Sequence, residues 1–413
     1  MAIMPSRESS GDGATANAWL TIVGIGEDGP AGLAEAARAA IADAAYVFGG
    51  ARHLELAGSL ISGEKRQWPS PFDTGMVLDL KGQSVCVLAS GDPFHHGVGA
   101  TLARALHPSE YTVFPAPSAF SLAAARLGWP LQDVETVSLH GRQIEHLRPL
   151  LHPGRRVLVL TSDETAPAAI ARLMTELGLG SSDVSVLEAM GGSGERRTEM
   201  KAGEVADRRF GPLNVLAITV GADHDASVLP LAGIRDDLFD HDGQITKREI
   251  RALTLSALAP RRGELLWDIG AGSGSIAITW LLKHPSMRAV AIEQDAERAQ
   301  RIRRNAENLG VPGLSVMEGS APAALADLPH PDAIFIGGGA EDGVAEAAIE
   351  ALKPRGRLVA NAVTLETETL LAGLHARFGG ELTRIALSRA APVGGMTGWR
   401  PAMPVTQWIW TKP

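Results

Sequence analysis

Several features that mark common classes of protein are scarce or missing in this sequence. A single cysteine, Cys86, occurs among the 413 residues, which excludes a disulfide framework and a cysteine-based zinc site. Lys and Arg number 38 against 47 Asp and Glu, and the net charge of -9 argues against a protein that coats nucleic acid. No apolar stretch is long enough to cross a bilayer, and the first residues lack the apolar segment of a secretory signal. We therefore expect a cytoplasmic protein with neither a membrane nor a nucleic acid as its partner.

The length and composition predict a globular protein with more than one domain. A chain of 413 residues is too long for one hydrophobic core. The sequence is 45% hydrophobic and 21% charged, which is ordinary for a globular protein. Residues 1–16 are rich in Ser and Gly, and we expect them to form a disordered tail.

Short apolar runs alternate with Ala-rich helical patterns along the N-terminal half, which predicts an α/β fold. The predicted strands are residues 19–24, 46–49, 84–89, 111–115, 136–139, 156–161, 184–189 and 213–219. The predicted helices are residues 31–42, 52–57, 117–127, 145–151 and 166–178, with another beginning near Gly97. Residues 191–200 are polar and Gly-rich, which indicates a loop or an edge hairpin. Gly221–Gly243 has no periodicity and is typical of a linker.

The alternation resumes after this linker. The predicted strands are residues 264–268, 288–293, 314–317, 332–336, 357–361, about 381–388 and 404–410. The predicted helices are residues 246–258, 274–283, 295–309 and 343–352. No helix is predicted between the last two strands, so we expect an antiparallel pair to close an otherwise parallel sheet. We predict one domain at residues 17–235, with lobes at about 17–116 and 117–235, and a second domain at residues 236–413.

A glycine-rich turn between a strand and a helix marks a nucleotide site in the second domain. The stretch Leu265–Gly274 reads LLWDIGAGSG, and Gly272–Ala277 matches the dinucleotide pattern G-x-G-x-x-G/A. Asp268, two residues before the first glycine, would repel a pyrophosphate and would suit a ligand with an ammonium or a sulfonium group. Glu293 closes the next apolar run, where an acid would reach a ribose hydroxyl. These residues favour a nucleotide with an ammonium or a sulfonium group over a dinucleotide.

The strand ending in D-x-G-x-G-x-G resembles motif I of the class I S-adenosylmethionine (SAM) methyltransferases. This resemblance implies a Rossmann-like seven-stranded fold and places the adenine near Glu318-Gly319-Ser320. Thr246, before the first strand, faces the SAM site in the resembling domain. The SAM-binding residues that the resemblance implies are Thr246, Asp268, Gly270, Ala271, Gly272, Ser273, Gly274, Glu293, Gly319 and Ser320.

The turn after the fourth strand of this domain limits which group can accept the methyl. Methyltransferases that act on exocyclic amines usually carry Asn or Asp with two prolines there, whereas this chain has Ile336-Gly337-Gly338-Gly339. This half also contains no cysteine, which cytosine C5 methyltransferases use as a nucleophile. We therefore expect an acceptor carbon that its own conjugation has already made nucleophilic.

Four motifs in the N-terminal half follow one another in a recognisable order. Gly24–Gly29 matches G-x-G-x-x-G, but its two carboxylates, Glu27 and Asp28, would disfavour a pyrophosphate. Together with LASGDP at 88–93, PAPSA at 115–119 and SLHGR at 138–142, it resembles the tetrapyrrole (class III) methyltransferases. That family holds SAM in a cleft between two α/β lobes. The SAM-binding residues that the resemblance implies are Gly24, Gly26, Gly91, Asp92, Pro93, Ser118 and Ala119.

The two halves in this order resemble the fused precorrin-6Y methyltransferases of cobalamin biosynthesis. Further shared stretches are FGGARHL at 48–54, LTSD at 160–163 and EAMGG at 188–192. The resemblance implies methylation of precorrin-6Y (precorrin-6B) at carbons 5 and 15 and decarboxylation of the ring C acetate, giving precorrin-8. The N-terminal domain would methylate carbon 5, and the C-terminal domain would methylate carbon 15 and release carbon dioxide.

The tetrapyrrole substrate carries many carboxylates, for which Arg is a favoured partner. The candidate substrate-binding cations are Arg52, Arg142, Arg196, Arg197, Lys247, Arg248 and Arg400. We expect SAM as the cofactor at one site in each domain, no metal at His95-His96 or elsewhere, and a homo-oligomer. Two alternatives stay open: a two-domain SAM methyltransferase acting on RNA or protein, and a SAM-binding module without catalysis.

Overall fold

The computed structural model describes residues 18–340 and 343–413, so the predicted disordered tail, residues 1–16, lies outside the described residues. Contacts divide the chain into two compact units. Unit 1 contains the described residues up to Arg142 together with Pro153–Ala226, and unit 2 contains Gln143–His152 and Ser227–Pro413. The domain limits at 235 and 236 stay a prediction.

The first sheet of unit 1 is parallel and has five strands in the order β3-β2-β4-β1-β5. Its strands are β1 (Leu20–Ile25), β2 (Tyr46–Gly49), β3 (Glu64–Gln67), β4 (Val85–Ser90) and β5 (Tyr111–Phe114). Its helices are α1 (Glu35–Ala42), α2 (Ala51–Ala57), α3 (Gly75–Leu78) and α4 (Val98–Leu102). The central strands β1 and β4 are apolar along almost their whole length because helices and loops cover both faces of a parallel sheet.

The second sheet of unit 1 is mixed and has the order β6-β7-β10-β8-β9. Its strands are β6 (Val134–Ser138), β7 (Arg156–Leu160), β8 (Asp183–Glu188), β9 (Arg196–Lys201) and β10 (Asn214–Thr219). Its helices are α5 (Ala119–Leu127), α6 (Ala166–Glu176) and α7 (Ala202–Val205). Only β6 and β7 pair in parallel, and the remaining pairs are antiparallel.

Unit 2 is built on a seven-stranded sheet of order β13-β12-β11-β14-β15-β19-β16. The parallel strands are β11 (Leu265–Ile269), β12 (Arg288–Glu293), β13 (Ser315–Glu318), β14 (Ala333–Ile336) and β15 (Arg357–Ala362). The antiparallel strands are β16 (Glu381–Ile385) and β19 (Val405–Thr411), with a hairpin of β17 (Ser388–Val393) and β18 (Met396–Pro401) between them. The helices are α8 (Arg248–Leu258), α9 (Ser275–Leu281), α10 (Ala296–Asn308), α11 (Val344–Ala351) and α12 (Leu365–Phe378).

Alternate residues of β11 supply the two core layers of unit 2. Leu266 packs with residues of α8, α9 and α10, whereas Trp267 packs with residues of α11 and α12 on the other face. The sheet is therefore covered on both faces, as a Rossmann-like fold requires. The described part of the chain has no helix with the length and apolar character needed to cross a membrane.

Several elements differ from the sequence prediction. The helix predicted at residues 145–151 is a 3-10 helix at Ile144–Leu150, since Pro149 inside it disfavours a regular α-helix. The sequence pattern did not indicate β3, α3, α7, α12 or the β17–β18 hairpin. The edge-hairpin alternative for residues 191–200 is confirmed, since β9 pairs antiparallel with β8 at the edge of the second sheet. Part of the predicted linker is core, since Leu229, Ile234 and Phe239 are buried among the apolar residues of unit 2. These buried residues are irregularly spaced in a stretch rich in Asp, Gly and His, so they give no periodicity that a pattern can detect.

Candidate active sites

Unit 2 has a cavity of about 780 Å³ at the carboxyl ends of its parallel strands. The residues at or just beyond these ends contribute to its lining, among them Ile269, Glu293, Gly319, Gly337 and Asn361. Ligands of open α/β sheets bind at this edge, where loops rather than side-chain layers close the fold. The cavity is therefore the candidate cofactor site of unit 2.

The glycine turn after β11 lies in the wall of this cavity and needs glycine. Gly270 has φ +69°, a left-handed conformation that side chains rarely adopt, and a Cβ there would lie 2.6 Å from the carbonyl oxygen of Gly338. The amide of Gly337 also donates to the carbonyl oxygen of Ile269 at 3.0 Å. The turn after β11 therefore packs against the Gly337–Gly339 turn after β14, and both turns line the cavity.

Glu293, at the end of β12, is fixed beside the glycine turn. Its Oε2 accepts the amide of Gly272 at 2.8 Å, and its Oε1 accepts the amide of Asp295 at 3.1 Å. Although the side chain is buried, it lines the cavity. A carboxylate held in one position at this place can accept hydrogen bonds from a ribose.

Asp268 lies behind the turn, outside the lining that the described residues give this cavity. It is 1% exposed, and its Oδ2 accepts the amide of Ala277 at 2.9 Å. Its Oδ1 has no hydrogen-bond partner within the described part of the chain. Burial raises the pKa of this carboxyl to about 7 although the Ala277 amide lowers it, and the charge of Glu293 raises it further. A cationic ligand in the cavity would favour the charged form of this acid.

The other predicted residues of this site divide between the cavity wall and the layer behind it. Thr246, Gly270, Ala271, Gly272, Glu293, Gly319 and Ser320 line the cavity. Ser273 and Gly274 are buried behind it, and the Ser273 carbonyl accepts the side-chain amide of Asn305 at 2.9 Å. Helix α8 begins at Arg248, so Thr246 precedes the helix that it was predicted to open.

The cations around this cavity are only partly those that the sequence indicated. Lys247 lines the cavity, whereas Arg248 pairs with Glu249 at 3.2 Å and Arg400 is exposed on β18, both outside the lining formed by the described residues. Arg298 and Arg389 also line the cavity, although no sequence motif indicated either of them. Arg298 pairs with Asp242 at 2.9 Å, and Arg389 pairs with Glu249. Arg298 lies in the first turn of α10, and the N-cap Asp295 is a sequence signal that could have located this turn. Arg389 lies on the hairpin that was not predicted, so no such signal was available for it.

A polar cluster at the end of β15 was also missed. The side-chain amide of Asn361 donates to Thr254 at 3.0 Å, and that of Gln407 donates to Asn361 at 2.9 Å and to Thr254 at 3.2 Å. Thr254 and Gln407 are buried, and Asn361 lines the cavity. Its members come from α8, β15 and β19, so no local motif brings them together.

Unit 1 has its own cavity of about 710 Å³, lined by residues from both of its sheets. Gly26, Gly91, Ser118 and Ala119, which the sequence indicated, are in this lining. Ser118 also begins α5, because its Oγ accepts the amide of Ser121 at 3.1 Å.

Gly24, Asp92 and Pro93, which the sequence also indicated, are not among the described residues that line the unit 1 cavity. They support the loops around it. A Cβ on Gly24 would lie 1.9 Å from the carbonyl oxygen of Gly91, so the β1 and β4 loops touch there. Asp92 accepts the amide of Phe94 at 2.8 Å through Oδ1, and Pro93 is buried. Their direct contact with a cofactor stays a prediction.

Arg52 is the only predicted substrate cation in the described lining of the unit 1 cavity. Arg196 forms two hydrogen bonds of 2.7 Å with the buried Glu188. Arg197 pairs with Glu199 and donates to the carbonyl oxygen of Arg126 at 3.1 Å. Arg142 also lies outside that lining. The structure therefore brings one of these four Arg residues to the cavity.

His95 and His96 stack with ring centroids 5.1 Å apart and line the unit 1 cavity. No group of three or more His, Cys, Asp or Glu residues that could hold a metal ion occurs among residues 18–340 and 343–413. The single cysteine, Cys86, is buried.

Comparison with known proteins identifies the family. The family model of tetrapyrrole (corrin/porphyrin) methylases matches residues 19–206, and the model of a precorrin methyltransferase domain matches residues 237–412. A precorrin-6Y C(5,15)-methyltransferase [decarboxylating] of Sinorhizobium sp is 61% identical over 98% of this chain and 99% of its own length.

Two shorter proteins are similar to part of the chain. A cobalt-precorrin-6B C(15)-methyltransferase (decarboxylating) of Salmonella typhimurium is 31% identical over 42% of this chain and 92% of its own length. The solved C-terminal domain of a precorrin-6Y C5,15-methyltransferase from Rhodobacter capsulatus is 51% identical, covering 45% of this chain and 100% of that domain at a TM-score of 0.43. The full-length match shows that the chain belongs to the family of decarboxylating precorrin-6Y C(5,15)-methyltransferases.

Proposed function

We propose that this chain methylates precorrin-6Y at carbons 5 and 15 and removes carbon dioxide from the ring C acetate, with one SAM site in each unit. The observation that carries this proposal is the presence of two separate cavities, of about 710 and 780 Å³, each lined by a glycine turn that the sequence indicated. The Sinorhizobium relative, which matches over nearly the full length, has a name that includes both methylations and the decarboxylation.

The residues of unit 2 fit SAM in size and in donor chemistry. Glu293 offers a fixed carboxylate for a ribose, and the buried Asp268 provides an acid whose ionisation a nearby cation would favour. When bound, SAM supplies a methyl group on a sulfonium centre. The protein aligns the acceptor carbon with this group and excludes water, and such orientation is worth roughly 7–11 kcal/mol.

We assign carbon 15 methylation and decarboxylation to unit 2 and carbon 5 methylation to unit 1. The name of the shorter Salmonella relative combines C(15) methylation with decarboxylation, so one protein of about the length of one domain performs both. Lys247, Arg298 and Arg389 line the unit 2 cavity and offer cations to the substrate carboxylates. The glycines at 337–339 leave room for a bulky macrocycle. The domains at 17–235 and 236–413, the lobes and the contacts of the predicted site residues are part of this proposal.

Two matched substitutions test this assignment. Ala271 and Ala119 are half-buried, each lines one cavity, and neither has a left-handed backbone conformation. Ala271→Trp and Ala119→Trp therefore fill one cavity each without replacing a left-handed glycine. We expect the Ala119→Trp enzyme to form a product with one added methyl and one carbon dioxide lost, as measured by mass spectrometry. We expect the Ala271→Trp enzyme to release no carbon dioxide, and mixing the two enzymes should restore the doubly methylated product. Carbon dioxide release by Ala271→Trp would contradict the assignment.

A further inference from the structure

Four polar side chains meet at one edge of the unit 1 cavity. Glu27 follows β1, Arg52 and His53 lie in the first turn of α2, and Ser90 ends β4, and all four line the cavity. Arg52 pairs with Glu27 through Nη1 and donates to Ser90 Oγ through Nη2 at 2.9 Å. Arg52 and His53 belong to the FGGARHL stretch, for which the proposed function provides no role beyond the Arg52 charge.

His53 is held in one neutral tautomer. The amide of Gly50 points at Nδ1 from 3.3 Å, and a backbone amide can only donate, so Nδ1 accepts and carries no proton. Burial lowers the pKa of His53 to about 4, and the charge of Arg52 lowers it further. The ring is therefore neutral near pH 7, and its proton is on Nε2. Nε2 lies 2.7 Å from Ser90 Oγ and donates to it. Arg52 Nη2 lies 3.2 Å from the same Nε2, but a protonated ring nitrogen cannot accept, so this contact is not a hydrogen bond and Nη2 donates to Ser90.

Ser90 Oγ thus receives two hydrogen bonds, one from His53 and one from Arg52. A hydroxyl oxygen has two lone pairs and one proton, so both lone pairs are occupied and the proton must be donated elsewhere. Ser90 is exposed and lines the cavity. Its hydroxyl proton is therefore directed into the cavity, towards whatever acceptor a ligand places there.

We propose that the Ser90 hydroxyl donates a hydrogen bond to a carboxylate of a ligand in the unit 1 cavity, and that His53 and Arg52 are positioning residues that fix its direction. The inference rests on the proposed function, which supplies two carboxylate sources. One is the amino-acid end of the methyl donor, and the other is an acidic side chain of the tetrapyrrole. A carboxylate fits because hydrogen bonds to an ionised acceptor are about twice as strong as neutral ones.

The control residue lies in the same cavity. Ser162 also lines it, but its Oγ already donates to the carbonyl oxygen of Leu139 at 2.9 Å. Its proton is therefore not available to a ligand. Ser162→Ala removes a hydroxyl from the same wall without removing a free donor, and thermal unfolding of every variant checks that the fold is kept.

The experiment uses the full chain with Ser90→Ala, His53→Gln, His53→Leu or Ser162→Ala. Binding of S-adenosylhomocysteine and of 5′-methylthioadenosine, which lacks the carboxylate, is measured by calorimetry in chains that also carry Ala271→Trp. The KM for the tetrapyrrole in carbon 5 methylation is measured in chains without Ala271→Trp. Glutamine can accept from Gly50 and donate to Ser90 as histidine does, whereas leucine can do neither.

We expect Ser90→Ala and His53→Leu to weaken the binding of one of the two ligands by about tenfold or more, which is the range for hydrogen bonds to charged groups. Weaker S-adenosylhomocysteine binding with unchanged 5′-methylthioadenosine binding identifies the cofactor carboxylate, and a raised KM alone identifies the tetrapyrrole. His53→Gln should retain most of the affinity. Unchanged affinities and KM in Ser90→Ala, or equal losses in Ser162→Ala, would overturn the inference. If the Ala271→Trp parent binds no S-adenosylhomocysteine, the proposed function fails instead.

Discussion

At the scale of single residues, Asp268 combines a structural contact with an unusual ionisation. It joins β11 to α9 through the amide of Ala277, and its second oxygen has no partner within the described residues. A buried carboxylate without a compensating charge favours its neutral form. A cation bound in the cavity would reverse this preference, which makes Asp268 a reporter of what the cavity holds.

The ionisation of Asp268 predicts a pH dependence of stability. Its pKa is raised from 3.8 to about 7 in the folded protein. At a pH between these two pKa values, Asp268 therefore binds fewer protons in the unfolded chain than in the folded one. The contribution of Asp268 to the free energy of unfolding therefore falls as pH rises from about 4 to 7. Asp268→Asn should remove this fall, of the order of a few kcal/mol. Urea unfolding of unit 2 at several pH values measures it, and an equal slope in the variant would show that Asp268 is not responsible.

Local motifs in the sequence indicated residues that line the cavity, whereas lining residues from distant parts of the chain were not indicated. Gly270, Gly272 and Glu293 follow strand ends in an unbroken motif, and the structure brings all three to the cavity. Arg389 lies on a hairpin more than a hundred residues after the glycine turn, yet it lines the same cavity. It also pairs with Glu249, at the start of α8. Such contacts depend on strand order, which no local pattern encodes.

At the scale of elements, a buried ion pair joins three parts of unit 2. Arg357 on β15 donates to both carboxylate oxygens of Glu264 at 2.7 and 2.6 Å. It also donates to the carbonyl oxygens of Leu258 and Ala259, which end α8. The end of this helix is thereby fixed to the start of β11 and to β15, next to the layers that position the glycine turn.

Removing one partner of this pair should be costly. Glu264→Gln leaves the buried Arg357 guanidinium without its charge partner, and such losses cost about 3–5 kcal/mol. Glu368→Gln in the exposed pair with Arg384 is the control, with an expected cost of about 0–1 kcal/mol. Urea unfolding of the full chain, followed through the unit 2 transition, compares the two. Equal small effects would contradict a stabilising role for the buried pair.

The missed elements have physical explanations. β3 consists of EKRQ, an edge strand with no apolar residue, so no apolar alternation marks it in the sequence. Helix α12 had a usable signal, since Thr364 caps it by accepting the amide of Thr367 at 3.3 Å. Central strands were predicted correctly because both of their faces are buried and their sequences are continuously apolar.

At the scale of the whole molecule, the chain contains two units that each have their own sheets and their own cavity. The sequence predicted this organisation because the alternation of strands and helices breaks once, after Thr219. It also predicted the family, which the full-length relative confirms. A homo-oligomer and a cytoplasmic location stay predictions.

The stoichiometry of cofactor binding tests the two-site account most directly. Calorimetry of the full chain with S-adenosylhomocysteine should give two molecules bound per chain. Ala271→Trp and Ala119→Trp should each reduce this to one, and the double variant should bind none. One molecule bound per unmodified chain, or the loss of both by either single substitution, would contradict the account.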